Sequence, residues 1–400
     1  MKKSCQITKI LNNKTGAVSA CPFCESTNTQ AFFSLLMPTI LSACSQDEVA
    51  QAKIFPFEAS LCLNCGLGFN SKPLPEETLQ NIYKNYRYVR PHKGIGCSKY
   101  DAMLQCIYRN TSKDNHLVEI GSSDGYLIDA LVSSGYKNIE GIEPSKEYLQ
   151  ATNHKLIRNE FFKTETSFKQ PVDTFFLMHV MEHFHSPRDI ISVMKQNLSP
   201  SGKIIFEVPN FSGFHHQHLL FFNPIFVSHF ARVMGLVVLE MEATGSVLRV
   251  TLQKQNNTKS VETEPMKNPE ELKNLLHQAN TTAQRYQQIN EDLKTFLLSS
   301  LNKKVFWWGT GSTSIIALSN IDNNILQKTQ IVVIDGDPER KGLSLPFANL
   351  QNLSIHAPSD VIKTMRKNDA LVIASSFSEE ILKKLKASCD LPEQIFIINL

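Results

Sequence analysis

Residues 117–131, LVEIGSSDGYLIDAL, hold a short apolar run, a cluster of small residues and a segment with apolar residues at helical spacing. That is the pattern of a β-strand, a tight glycine turn and an amphipathic helix. Glu119, Gly121 and Gly125 give the spacing E-x-G-x-x-x-G. Small residues from Gly121 through Ser122, Ser123 and Asp124 to Gly125 let a ligand approach the backbone at a helix N-terminus, by the carboxyl edge of a sheet. About twenty residues on, IEGIEPS ends a second strand at Glu143 and Pro144. A carboxylate at that position is placed to accept hydrogen bonds from two ribose hydroxyls. No Gly-Lys-Ser/Thr occurs, so the turn reads as a nucleoside site and not as a triphosphate clamp.

The same alternation extends in both directions. HLVEIGSSDG, IEGIEPS, TFFLMHV and GKIIFEVPN are apolar runs separated by helix-length segments, which predicts parallel βαβ units. The polar stretch QKQNNTKSVETEPMKNPE reads as a linker, and residues 270–301 read as one long helix. KVFWWGTGS, QIVVIDGDP, DALVIASS and QIFIINL then repeat the strand pattern. The first hundred residues are rich in cysteine and turns. The expected class is therefore α/β, in three parts: a small module over 1–100, an α/β domain over 101–255 and a second α/β domain over 256–400.

Charge and composition exclude several classes. Forty-one basic against 38 acidic residues leave +3, which provides no electrostatic footprint for nucleic acid or an anionic membrane. The N-terminal stretch lacks the apolar core of a signal peptide, and no run of about eighteen apolar residues predicts a membrane span. Nine cysteines, four of them in two Cys-x-x-Cys pairs, suit a reducing compartment with a metal site better than a disulfide framework, so a cytoplasmic location is expected. Cys21 and Cys24 are separated from Cys62 and Cys65 by 37 residues. Two such knuckles complete a tetrahedron of thiolates around zinc, and with four sulfurs the ion has no open position, so its role is structural.

The order CPFC, CLNCGLGF, NYRYVRP, EIGSSDGYL, GIEPS, GSVLRV and VIDGDPERKG resembles the three-domain sugar C-methyltransferase family, nearly from Cys21 to the end. The resemblance implies a zinc-binding N-terminal domain, a central class I methyltransferase domain that uses S-adenosylmethionine, and a C-terminal Rossmann-like domain closing over the substrate cleft. It implies methylation of carbon 3 in a nucleotide-linked 4-keto-deoxysugar. By it, the Glu119–Gly125 loop holds the amino-acid end of the cofactor, Glu143 its ribose and Phe162 lies near the adenine. Met178 and His179 line the methyl-transfer site.

Methylating a carbon beside a ketone needs a base for its proton and donors for the enolate. The family places this work on a Tyr-x-Glu-His stretch, an upstream His and a Tyr near the end of the zinc domain. Those positions fall on His215, Gln217 and His218, on His183, and on Tyr86 or Tyr88. His218 is then the base and His183 its helper. Position 215 carries His instead of Tyr, and position 217 carries an amide instead of a carboxylate. Taken alone, FHHQHLLFF (214–222) also admits a metal shared by His215 and His218, for which no neighbouring carboxylate is evident, or a structural cleft wall. Arg249 reads equally as a phosphate ligand or an ion-paired arginine. In the last part, Gly309, Gly311 and Asp335 imitate a dinucleotide fingerprint with Ser314 at the third glycine, so a nicotinamide-dependent oxidoreductase is the rival from another class. An O- or N-methyltransferase of another small metabolite is the rival within the class.

Overall fold

The computed structural model describes residues 18–84, 99–146, 154–255, 269–347, 350, 353–375 and 377–398. Tyr86 and Tyr88 lie outside them. The chain divides into two compact units. One takes residues 18–32 with Glu58–His277, and the other takes Phe33–Phe57 with residues 278–398.

In chain order the larger unit holds β1 (Thr29–Pro38) and β2 (Ile54–Cys62), inside which the division falls, and β3 (Gly68–Asn70). It continues with β4 (His116–Ile120), β5 (Asn138–Ile142), β6 (Ile157–Arg158), β7 (Val172–Met178) and β8 (Leu198–Pro209). Last come β9 (Leu220–Phe221), β10 (Leu236–Thr244) and β11 (Val247–Lys254). Seven of them form one sheet in the order β10-β11-β8-β7-β4-β5-β6. Strands β6 to β8 of that order pair in parallel, whereas β11 pairs antiparallel with both β8 and β10.

Residue type explains the layout. β4, β7 and β8 are covered on both faces, so they read as continuous apolar runs and not as alternation. Ile128 and Leu131 of the helix Tyr126–Ser133 pack with Met103 and Ile107 of the helix Lys99–Asn110 and with Leu117, Phe176 and Ile205 of the sheet. The helix Pro187–Asn197 starts at Ser186, whose hydroxyl accepts from the amide of Asp189, with proline in its first turn. Asn223 caps the helix Pro224–Val233 in the same way, and its Nδ2 donates to the carbonyl of Gly66 in the cysteine knuckle at 2.8 Å. The strand order reverses between β4 and β7, and open α/β sheets place their ligand crevice at such a switch point.

The smaller unit is a five-stranded sheet, β14-β13-β12-β15-β16, with every pair parallel. Its strands are β12 (Lys304–Trp308), β13 (Gln330–Ile334), β14 (Ile355–His356), β15 (Ala370–Ile373) and β16 (Gln394–Ile397). Trp307 is fully buried and donates from Nε1 to Ser314 Oγ at 2.9 Å. Ser314 donates in turn to the carbonyl of Gly309, so the serine at the third fingerprint position ties the turn together. Asp335 Oδ2 accepts from the amide and hydroxyl of Thr310 and from Arg340 Nη1. The predicted long helix is continuous over Pro269–Leu298. No helix among the described residues is long and apolar enough to cross a membrane.

Candidate active site

The glycine turn follows β4 at the switch point. Gly121 has φ +75°, and a Cβ there would stand 2.3 Å from Val180 Cγ2, so only glycine lets the turn pass under the loop after β7. Ser123 also has positive φ, at +52°, and its amide donates to Glu143 Oε2 at 2.9 Å. The amide of Ser145 donates to Oε1 at 2.8 Å. Glu143, expected to accept from two ribose hydroxyls, also braces the turn. Its carboxylate keeps lone pairs for further donors. Pro144 follows it directly, and Asp124 Oδ1 accepts from the amide of Tyr126.

Glu119 is buried at the end of β4, and its Oε2 has no hydrogen bond among the described residues. Burial raises its pKa well above the usual carboxylate range, and the nearby Asp124 and Glu143 push the same way. Burial also raises Glu143, while its two amide donors oppose the shift. An orphaned acid beside a glycine turn fits a cationic ligand, whose charge would complete it. The ammonium end of S-adenosylmethionine is such a group, and Ser122 Oγ is a second buried atom without a partner there. Phe162 is buried with its ring edge against Phe175 and Phe184.

The second half of the site lies past the end of β7. Met178 is the last residue of that strand, and His179 follows with φ +56°, rare for a residue with a side chain. His179 Nε2 lies 3.3 Å from Glu207 Oε1, and its Nδ1 lies 3.4 Å from Glu182 Oε1. Glu207 also holds Arg249 through Nε and Nη2 at 2.9 and 2.6 Å, and Arg249 pairs with Glu242. Arg249 is thus the ion-paired arginine of the two readings offered for it.

His218 reaches this group at Glu182. Its Nε2 is 3.9 Å from Glu182 Oε1, and its ring centroid is 5.0 Å from that of His183. His218 Nδ1 donates to the carbonyl of Gly213 at 2.8 Å, and His183 Nδ1 donates to the carbonyl of Gln217 at 2.7 Å. A carbonyl only accepts, so Nε2 carries the lone pair in both rings. Gly213 has φ +69°, and a Cβ on it would be 2.9 Å from His218 Nδ1. Burial pushes His218 well below the usual imidazole range, with His215 and His183 adding to the shift, so it is neutral near pH 7. The His215 ring lies against it, tilted, with centroids 3.8 Å apart, and its pKa is lowered to about 3, chiefly by burial. Gln217 contributes its carbonyl to the cluster, since Tyr83 Oη donates to it at 2.6 Å.

Two residues here escaped the sequence. Glu182, 1% exposed, supplies the carboxylate that FHHQHLLFF lacks locally, which corrects the expectation that no acid stands near these histidines. Tyr83 touches His183 and Gln217, the neighbourhood expected for Tyr86 or Tyr88. Phe214, Phe221 and Phe222 of the same stretch are buried core.

At the cysteines, Cys21 Sγ lies 3.5 Å from Cys65 Sγ, and Cys24 Sγ lies 3.5 Å from Cys62 Sγ. The amides of Phe23 and Asn64 point at the sulfurs of Cys21 and Cys62. Four thiolates cannot all ionise at this spacing without a cation between them, and about 2.3 Å from each sulfur to zinc fits such a cage.

Residues 98–285 match the family model described as a methyltransferase domain. Over those residues the chain carries a methyltransferase domain. Among curated relatives it is similar to a tRNA U34 carboxymethyltransferase of Actinobacillus succinogenes, 25% identical over 156 residues, which are 34% of this chain and 49% of that one. One of the same name from Mannheimia succiniciproducens is 28% identical over 169 residues, 37% of this chain and 53% of that one. The chain spans about half the length of these relatives. Among solved structures, a magnesium protoporphyrin IX methyltransferase from Synechocystis PCC 6803 with bound S-adenosylmethionine matches with TM-score 0.37 and 10% identity, over 46% of this chain and 98% of that one.

Proposed function

We propose that the protein transfers a methyl group from S-adenosylmethionine to a carbon beside a ketone, in a nucleotide-linked 4-keto-deoxysugar. The observation that carries this reading is the pairing of two features at one sheet edge. A buried, hydrogen-bond-deficient Glu119 lies beside a glycine turn, and a neutral imidazole, His218, belongs to the cluster beyond the adjacent strand. When bound, S-adenosylmethionine supplies an electrophilic methyl group on a positively charged sulfur. Glu119 takes the ammonium end, Gly121 through Gly125 admit it to the backbone, and Glu143 receives the ribose. Phe162, Met178 and His179 line the rest of the cofactor's place.

His218 Nε2 takes the proton from the acceptor carbon, and the electron pair of that C–H bond delocalises onto the ketone oxygen. The imidazolium so formed faces the carboxyl group of Glu182, 3.9 Å from Nε2, where position 217 offers only an amide. His183 and a tyrosine of the Tyr83–Tyr88 region orient the acceptor. Zinc at Cys21, Cys24, Cys62 and Cys65 is structural, and the smaller unit is a Rossmann-like domain in a three-domain chain.

The names of the curated relatives bring a rival acceptor, a tRNA base. A net charge of +3 gives little of the counterion-releasing surface a polyanion needs, which favours the small acceptor. Incubating the protein with nucleotide 4-keto-deoxysugars in D2O tests the reading. Deuterium should enter beside the ketone with wild type and not with His218→Ala; exchange at the wild-type rate in that variant would refute the assignment of the base.

A further inference from the structure

Glu182 is a carboxylate buried to 1% exposure, and neither of its oxygens makes a hydrogen bond among the described residues. Its nearest cationic candidates are imidazoles, His179 at 3.4 Å and His218 at 3.9 Å. Burying a carboxyl this deeply without donors is costly unless something else completes it. One donor atom each from Glu182, His183 and His218 lie within 4.8 Å of one another, so a single ion can reach all three.

The two imidazoles are prepared as metal ligands prepare. In each ring Nδ1–H is engaged by a backbone carbonyl, of Gly213 for His218 and of Gln217 for His183. That engagement fixes the tautomer, orients the ring and leaves Nε2 as the ligand nitrogen, which is the usual outer-sphere arrangement of metal-bound histidine. The supports are themselves fixed: Gly213 is held at positive φ, and Tyr83 Oη donates to the carbonyl of Gln217. Two imidazoles and one carboxylate match the donor set of catalytic zinc sites, with a coordination position left open. Imidazole donors select zinc, cobalt or nickel over magnesium or calcium.

We infer that Glu182, His183 and His218 form a divalent transition-metal site, separate from the four cysteines and made of nitrogen and oxygen donors. The ligand atom on His218 is the lone-pair nitrogen that serves as base in the proposed reaction. Metal and proton therefore compete for it, and occupation of the site switches methyl transfer off. Only this last consequence rests on the proposed function.

The test starts from the full chain with zinc at its cysteines, titrated with Co2+. Binding at the new site should appear as weak visible d–d bands without the intense near-ultraviolet charge-transfer bands that thiolate–cobalt sites give. One equivalent should bind wild type, with a rise in melting temperature, and none should bind Glu182→Gln or His183→Gln. Mg2+ should not displace the cobalt. Absence of those bands in wild type, or their persistence in both variants, overturns the site. A melting temperature of either unliganded variant near that of wild type shows that it is folded, and the two variants guard against one of them failing that check. Zn2+ added in the same range should lower the methyl-transfer rate of wild type. Metal binding without inhibition would keep the site and overturn the competition.

Discussion

Replacing Glu119 should separate the stability of the free protein from its affinity for S-adenosylmethionine. In the free fold Glu119 is buried, lacks a hydrogen bond at Oε2 and has its pKa raised by burial and by Asp124 and Glu143, so the carboxyl is held toward its neutral form. A cationic ammonium would reverse this by favouring the carboxylate, and the displaced proton would leave on binding. A hydrogen bond to a charged group contributes about 1.5–3 kcal/mol, so Glu119→Gln should weaken cofactor binding by about 10- to 150-fold. Glu119→Leu should weaken binding at least as much. It should also raise the melting temperature of the free protein by several degrees, because an unsatisfied buried polar group costs about 1–3 kcal/mol and a unit of this size shifts by about 2–4 °C per kcal/mol. Calorimetry in buffers of different ionisation enthalpy should show proton release for wild type above the ordinary carboxylate range and none for Glu119→Gln. An unchanged dissociation constant in Glu119→Gln would refute the role assigned to the acid, whatever the melting data show.

Gly121→Ala should destabilise the larger unit by more than about 1–3 kcal/mol, since strain at positive φ adds to the contact with Val180; urea titration reads it. Cys62→Ser, or a strong zinc chelator, should release one equivalent of zinc measured by atomic emission and should loosen Asn223 and the helix it caps, read as faster amide exchange over Pro224–Val233. His116 is raised by Glu140, 3.0 Å away, so its contribution to stability is present below the unfolded pKa of about 6.5 and is lost as pH rises through the raised folded value. The gap in melting temperature between wild type and His116→Gln should therefore narrow with rising pH. For a partly exposed pair it should correspond to no more than about 1 kcal/mol.

What the sequence disclosed follows from physical causes. β4, β7, β8, β12 and β15 were legible because parallel strands largely buried on both faces write unbroken apolar runs, and β5, β13 and β16 because their apolar runs end at turn residues. β10 was not, because most of Leu236–Thr244 is exposed and carries Glu240 and Glu242. Glu119 near the end of β4 and Gly121 in the turn that follows are two residues apart, so local spacing was enough to mark them. Glu182 was missed although it sits beside His183, because its encounter with His218 arises only when the loop after β8 folds back onto the turn after β7. The hydrogen bond from the amide of Leu219 to the carbonyl of Glu182 records that return. Tyr83 was missed for a related reason: nothing local in the helix Glu76–Lys84 indicates which face meets Gln217.

The most direct test of the central claim follows one methyl group. The protein is incubated with S-adenosylmethionine carrying a 13C methyl and with a set of nucleotide 4-keto-deoxysugars, and the product is read by NMR. The label should appear as a methyl bonded to the carbon beside the ketone, with far less label transferred by Glu119→Leu at cofactor concentrations below saturation. A label found on oxygen or nitrogen would contradict carbon methylation, and no transfer to any keto-sugar, with transfer to tRNA instead, would contradict the acceptor class altogether.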